Sequence, residues 1–490
     1  MPAASQTSAS QALSGRDKLA EVTRLMQILE VDLEKKNLLP PIRNATLEQL
    51  KPLTRTLDDA EPLCTAEGIR TLCRHSFDGN SLTTSRVALK CLANVMLLDK
   101  ATRQIFVDLG YAPKAADRLK SDHREDEFLA SRLLFLTTYD TDIKFGILFE
   151  EKDLAESINI NLCRHSKRLS KSTHPPSDID TLALSDTLKL LFNLTQFYPE
   201  HAHAFTKSVL YILKILASVK IETPPLKAPI TWLLNALLNL DLEDKRSRHF
   251  AQNPLFPLFD TRCNVNRLIG ILDNAVRHYT DEELEQNANP LVSLLRRIYS
   301  FAPEGVKFHM RELLLPSNEE RKQPLGKSDS LSAYLLRLST SPVAPNLRET
   351  VSNLLFELSD RDATNFVRNV GYGFASGFLM THDLPVPQNA TEAWSMRDDD
   401  DQEGLVKDPG EILTNVDGVE INPVTGQRKD MEPQLPEVEM TNEEKEREAE
   451  KLFVLFERLR ATGVINVANP VARAMQEGRF EEITDEEDDD

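Results

Sequence analysis

Leucine-rich stretches with apolar residues at helical spacing recur along most of this 490-residue chain, and proline punctuates many of them. Such a pattern leaves few options, because an amphipathic helix must bury its apolar stripe against another helix. In LSDTLKLLFNLTQFY the residues Leu184, Leu188, Leu191 and Phe192 fall at i, i+4, i+7 and i+8, and Pro199 follows. KAPITWLLNALLNLDL is introduced by Pro224, Pro225 and Pro229. SPVAPNLRETVSNLLFELSD places prolines at 342 and 345 ahead of its leucines. A loose motif of two apolar residues, a pivot and a further apolar residue closes these helices, as PLTRTL, CLANVML, LLFLTTY, LLFNLTQF, LLNLDL, LLRRIYSF and LLFELSD. Its pivots are Arg55, Asn94, Leu136, Asn193, Asn239, Arg296 and Glu357, at intervals of 39, 42, 57, 46, 57 and 61. Periods of about 40 to 47 residues, lengthened by insertions, mark armadillo or HEAT arrays. The predicted fold is therefore all-α, an armadillo/HEAT-like helical-repeat superhelix.

Only 17 glycines and 6% aromatics accompany a 41% apolar content, which also disfavours sandwiches and barrels. Five scattered cysteines (Cys64, Cys73, Cys91, Cys163, Cys263) contain no CxxC pair, so neither a disulfide framework nor a zinc site is expected. The polar beginning MPAASQTSASQALSGRDK has no signal-like apolar region, and no run of 18 uncharged apolar residues occurs. A cytoplasmic protein without membrane insertion is expected.

The net charge of −19 argues against a nucleic-acid partner, and its distribution is informative. Residues 381–490 hold 11 Lys+Arg and 30 Asp+Glu, which leaves 47 of each in the first 380. Four segments follow: a repeat array over 1–380, an acidic, mostly disordered linker over 381–440, an amphipathic helix over 441–463, and an acidic tail over 464–490. Thr441 and Glu444 form a capping-box pattern for the last helix, whose Leu452, Phe453 and Phe456 need cover from the array or from a partner.

Recognised reaction motifs are absent. Gly326-Lys327-Ser328 imitates the end of a phosphate loop, but Arg321 stands where its first glycine belongs. The tetrapeptide Cys-Arg-His-Ser occurs at 73–76 and 163–166 with a spacing that suits no metal site. No metal, no cofactor and no covalent chemistry are expected. An Asn at a pivot such as Asn94, Asn193 or Asn239 has two readings: it holds the backbone of a peptide in the groove, or it ties neighbouring repeats together.

The stretches SRVALKCLANVML, SRLLFLTTYDTDIKFGILFEE, LKLLFNLT, VRNVGYGFASGFL, INPVTG and MTNEEKEREAEKLFVLFERL resemble, in this order, the synembryn family. Gly371-Tyr372-Gly373 and Ile421-Asn422-Pro423-Val424-Thr425-Gly426 are the most specific, and the short stretch between Phe77 and Val87 resembles fungal members. The resemblance implies a cytosolic chaperone and guanine-nucleotide exchange factor for the α subunit of heterotrimeric G proteins (Gα). It implies that the concave face takes the C-terminal helix of Gα, while the tail and last helix touch its nucleotide domain. GDP then leaves, and the emptied subunit is held until GTP binds. The residues so implied are Asn94 and Asn193, Phe135 and Phe192 beside them, Arg132, and the basic pair Lys51 and Arg55, read as sharing a helix face. Asn239 joins them as the next pivot. Leu452, Phe453 and Phe456 are the implied contacts of the last helix, and Ser395 and Thr484 are candidate kinase sites. Asp398 to Asp401 can supply fixed charge where animal members carry phosphate. A monomer that reaches the cell cortex through its partner completes the expectation. An armadillo adaptor without exchange activity is the alternative; an import receptor fits poorly with only Trp232 and Trp394.

Overall fold

The computed structural model describes residues 14–79, 81–172, 174–243, 252–385, 414, 418–432, 447, 451 and 454. Contacts divide the chain into a unit over Met1–Asp430 and a second over Met431–Asp490. Twenty α-helices occur among the described residues. They are α1 (Gly15–Lys35), α2 (Pro40–Leu53), α3 (Ala66–Phe77), α4 (Leu82–Leu98), α5 (Ala101–Asp108), α6 (Ala112–Arg118), α7 (Arg124–Thr137), α8 (Phe145–Lys152), α9 (Leu154–Lys171) and α10 (Asp178–Phe197). The series continues with α11 (Thr206–Ser218), α12 (Ile230–Asn239), α13 (Cys263–His278), α14 (Asp281–Asn287), α15 (Asn289–Phe301), α16 (Glu304–Leu314), α17 (Leu331–Leu338), α18 (Pro345–Leu358), α19 (Ala363–Val370) and α20 (Tyr372–Thr381).

Helix starts follow local chemistry. Side chains of Thr65, Ser81, Ser177, Ser330 and Asp362 accept from backbone N–H groups of the first turn, and Thr280 with Glu283 forms a full capping box. Proline opens α2, α6, α15 and α18 within the first two positions, where its missing N–H costs nothing. Leu184, Leu188 and Leu191 are buried, and Phe192 sits at the edge of their stripe.

Two layers of helices share one continuous apolar core. In the first, α2, α4, α7, α10, α12, α15 and α18 pack each on the next. In the second, α1 packs on α3, α3 on α5, α9 on α11, α11 on α13, and α13 on α17. This is the all-α helical-repeat architecture expected from the periodic pivots. Six pivots fall within the last two turns of a first-layer helix, and Arg55 follows α2 by two residues. Among the described residues there is no strand, only isolated bridges from Thr414 to Glu420 and from Ile421 to Arg428.

Residues 418–430, within the span that composition assigned to the linker, fold onto the end of the first unit. The Tyr372 and Gly373 amides donate to Pro423 O and Val424 O at 2.7 and 3.0 Å. Arg321, buried at 4% exposure, donates to Gly426 O at 3.0 Å and to Asn369 O at 2.9 Å. Gly426 is required: its φ is +67°, and a Cβ there would stand 2.4 Å from Leu325 Cδ1. Of the second unit, Met431, Glu432, Arg447, Lys451 and Val454 are described, and the last three are helical. Leu452, Phe453, Phe456, Ser395, Asp398 to Asp401, Thr484 and the Thr441 cap lie outside the described residues.

Candidate functional site

The site is built on the face of the first layer that the second layer leaves uncovered. Along α7 the accessible positions include Glu125, Arg132 and Phe135, with Tyr139 exposed two residues past its end; along α12 they include Trp232, Asn235 and Asn239. This spacing of three to seven keeps them on one side of each helix.

A polar ladder runs along the carboxyl ends of these helices, where the last carbonyls lack intrahelical partners. Asn94 Nδ2 on α4 donates to Thr54 Oγ1 at 2.9 Å, and Thr54 Oγ1 donates to Lys51 O in the last turn of α2 at 2.7 Å. Asn193 Nδ2 on α10 repeats the relay through Thr138 Oγ1 at 2.7 Å, which donates to Phe135 O of α7 at 2.7 Å. Asn369 Nδ2 on α19 donates to Ser359 Oγ, which donates to Leu355 O of α18, both at 2.9 Å. Asn239 Nδ2 reaches Gln196 Oε1 at 3.1 Å and Phe192 O at 3.5 Å, at the end of α10. Arg297 on α15 donates to Leu238 O and Leu240 O at the end of α12. Burial lowers the pKa of that guanidinium from its ordinary value.

Aromatic rings follow the ladder. Phe135 meets Tyr139 edge-on at 5.4 Å, and Tyr139 meets Phe197 edge-on at 6.1 Å. Tyr139 is 38% and Phe197 49% exposed. Tyr139 also donates its hydroxyl to Asn193 Oδ1 at 3.3 Å, so both ends of that amide are engaged, and Asn193 is 2% exposed. Phe192 is half-buried. Arg132 lies 4.4 Å over Phe128 and donates from Nε to Asp186 at 2.7 Å. Lys189 holds the other Asp186 oxygen at 2.9 Å while standing 4.9 Å over Trp232.

Lys51 lies in the last turn of α2, ion-paired with Glu48. The helical i, i+4 relation expected for Lys51 and Arg55 does not hold. Helix α2 ends at Leu53, two residues short of Arg55, and Pro52 has already removed one N–H from its final turn. Arg55 is exposed, and its guanidinium makes no hydrogen bond or ion pair among the described residues.

Sequence reasoning missed Tyr139, Phe197 and Trp232. The signal was present for two of them: Tyr139 follows its pivot by three residues, just past the end of α7, and Phe197 follows its own by four, in the last turn of α10. The repeated Cys-Arg-His-Ser carries two buried histidines. His75 Nε2 contacts Leu29 O at 2.9 Å and His165 Nε2 contacts Glu127 at 2.8 Å. Both bonds tie helices together. Among the described residues no cluster of three or more His, Cys, Asp or Glu could hold a metal ion, and no helix is long and apolar enough to cross a membrane.

The model of a family described as guanine nucleotide exchange factor synembryn matches residues 46–479. A synembryn-like chaperone of Schizosaccharomyces pombe is 27% identical over 381 residues, covering 75% of this chain and 68% of that protein. Chaperone Ric-8A of Gallus gallus is 25% identical over 93% of this chain and 88% of its own length. Chaperone Ric-8A of Danio rerio is 25% identical over 92% of this chain and 85% of its own.

Proposed function

Because the chain belongs to the synembryn family, we propose that it is a folding chaperone and guanine-nucleotide exchange factor for G-protein α subunits, acting by binding and without covalent chemistry. The uncovered face of the first layer takes the C-terminal helix of Gα. The exposed pair Tyr139 and Phe197, supported by Phe135, receives its apolar side chains, and Arg55 is free to meet a carboxylate. Asn94, Asn193 and Asn239 hold the helix ends that frame this surface, and Arg132 fixes Asp186 beneath it. A binder with greater affinity for nucleotide-free than for GDP-bound Gα must, by linkage, weaken GDP binding by the same factor. Rebinding of GTP releases the complex by the same linkage. The last helix, with Leu452, Phe453 and Phe456, supplies the second contact, and Ser395 in the linker and Thr484 in the tail are the chain's sites of modification in this reading.

The observation that carries the proposal is the family match over residues 46–479, which spans the described array from the middle of α2 through α20. Its test is GDP release from purified Gα, together with the yield of soluble Gα in a cell-free translation mixture. The wild type should accelerate release about tenfold or more, and the double variant Tyr139→Ala, Phe197→Ala should lose most of that effect while remaining folded. If the wild type changes neither release nor yield, an adaptor without exchange activity is the surviving reading.

A further inference from the structure

Two cavities flank the helices of the first layer, and they differ in how their charges are spent. The larger, about 750 Å³, is lined by Arg86, Lys114, Arg118, Lys120, Asp117 and Asp126 among others. Its cations are internally paired: Arg86 binds Asp126 through two hydrogen bonds of 2.9 and 3.0 Å, Lys114 binds Asp78, and Lys120 lies 3.6 Å from Asp117. Arg118 is held by Ser85 Oγ and Ser76 O.

The smaller cavity, about 410 Å³, opens between α12, α15 and α18, where the pivots are Arg296 and Glu357. Three guanidinium groups, Arg296, Arg297 and Arg361, line it against one carboxylate, Glu357. Arg361 saturates Glu357 with two bonds of 2.9 Å, and Arg297 is committed to the carbonyls of Leu238 and Leu240. Arg296 is exposed and makes no hydrogen bond or ion pair among the described residues. Around it stand Ser293, Ser300, Thr350 and Asn353, with no apolar side chain but Leu238.

We infer that this cavity is a receptor for an acidic side chain of the bound partner segment, and that Arg296 is the residue that pairs with it. The inference rests on the functional reading above and adds to it a requirement on the partner's sequence. A guanidinium fork among hydroxyl and amide groups is complementary to a carboxylate, not to an apolar or basic side chain. Neighbouring helices of a layer lie about 8–10 Å apart, so α15 stands roughly 18 Å from α10 along the row. A partner helix lying across the row, rising about 1.5 Å per residue, therefore carries its acidic residue about 12 positions from the apolar residues that rest on Tyr139 and Phe197.

Binding of purified GDP-bound Gα to the full chain, measured at about 50 and about 300 mM NaCl, tests this. Arg296→Ala should weaken binding about tenfold at low salt and flatten its salt dependence, and Arg296→Glu should weaken it further. Phe197→Ala should weaken binding and leave the salt dependence unchanged. If the wild type binds while both Arg296 variants match it within about twofold at both salt concentrations, the inference is overturned and the functional reading stands. If the wild type fails to bind, both are overturned.

Discussion

The relay from Asn94 to Thr54 to Lys51 O shows why a pivot residue can matter without touching a partner. Thr54 is fully buried, and its hydroxyl takes one hydrogen bond and gives another. Asn94→Ala removes the donor to a buried oxygen and should destabilise the array by about 1–2 kcal/mol. Asn193→Ala should cost a similar amount, and the two losses should add, since the residues belong to different relays. Chemical denaturation reads both. A functional loss in either variant thus has to be compared with Tyr139→Ala, which leaves the amide of Asn193 bonded to Thr138. Charge acts at the same scale. Burial would raise the pKa of Asp126, but hydrogen bonds from Arg86 and Ser121 and the nearby Arg118 outweigh it and hold the carboxyl below its ordinary value. The stability this contributes is complete above the unfolded value of about 3.9 and is lost as pH falls through the lower folded value. Asp126→Asn should start less stable at neutral pH and show a smaller drop as pH falls below about 4 in the same denaturation series.

Among the elements, the turn at 421–428 is the one whose removal is most easily confined. Gly426→Ala would put a Cβ against Leu325 and force a left-handed residue to carry a side chain. Hydrogen exchange should then accelerate at Tyr372, Gly373, Gly426 and Arg428, whose amides bond across this turn, while amides in α4, α7 and α10 keep their protection. If protection falls across the whole array instead, the turn is part of its cooperative unit. Composition could not reveal this turn, because its neighbours in sequence are acidic and its anchor, Arg321, lies about a hundred residues earlier. The helices themselves were legible, since prolines and leucine spacing act locally: α10, α12 and α18 lie where Pro199, Pro229 and Pro345 placed their boundaries. The layering was legible only through the pivots, which recur because each repeat must meet the next in the same register.

Across the whole first unit, the face that the pivots define is uneven in chemistry. Aromatic side chains occupy its middle, and unpaired guanidinium groups stand at Arg55 and Arg296. A sequence gives residue types without saying which charges are already spent, so Arg132, Lys189 and Arg361 look as available as Arg296 until Asp186 and Glu357 are seen to hold them. The ladder itself has a direction. In every rung the donor stands later in the chain than the helix end it serves: Asn94 for α2, Asn193 for α7, Asn239 for α10, Arg297 for α12 and Asn369 for α18. A ribosome delivers such a chain amino end first, so each of these helices emerges with bare carbonyls and waits for its successor's side chain before it is finished. Shortening the array from its amino end leaves every remaining rung supplied, while shortening it from the other end in turn strips α18, α12, α10, α7 and α2 of their donors. Each helix end in the ladder thus depends on a later part of the chain, and none on an earlier one.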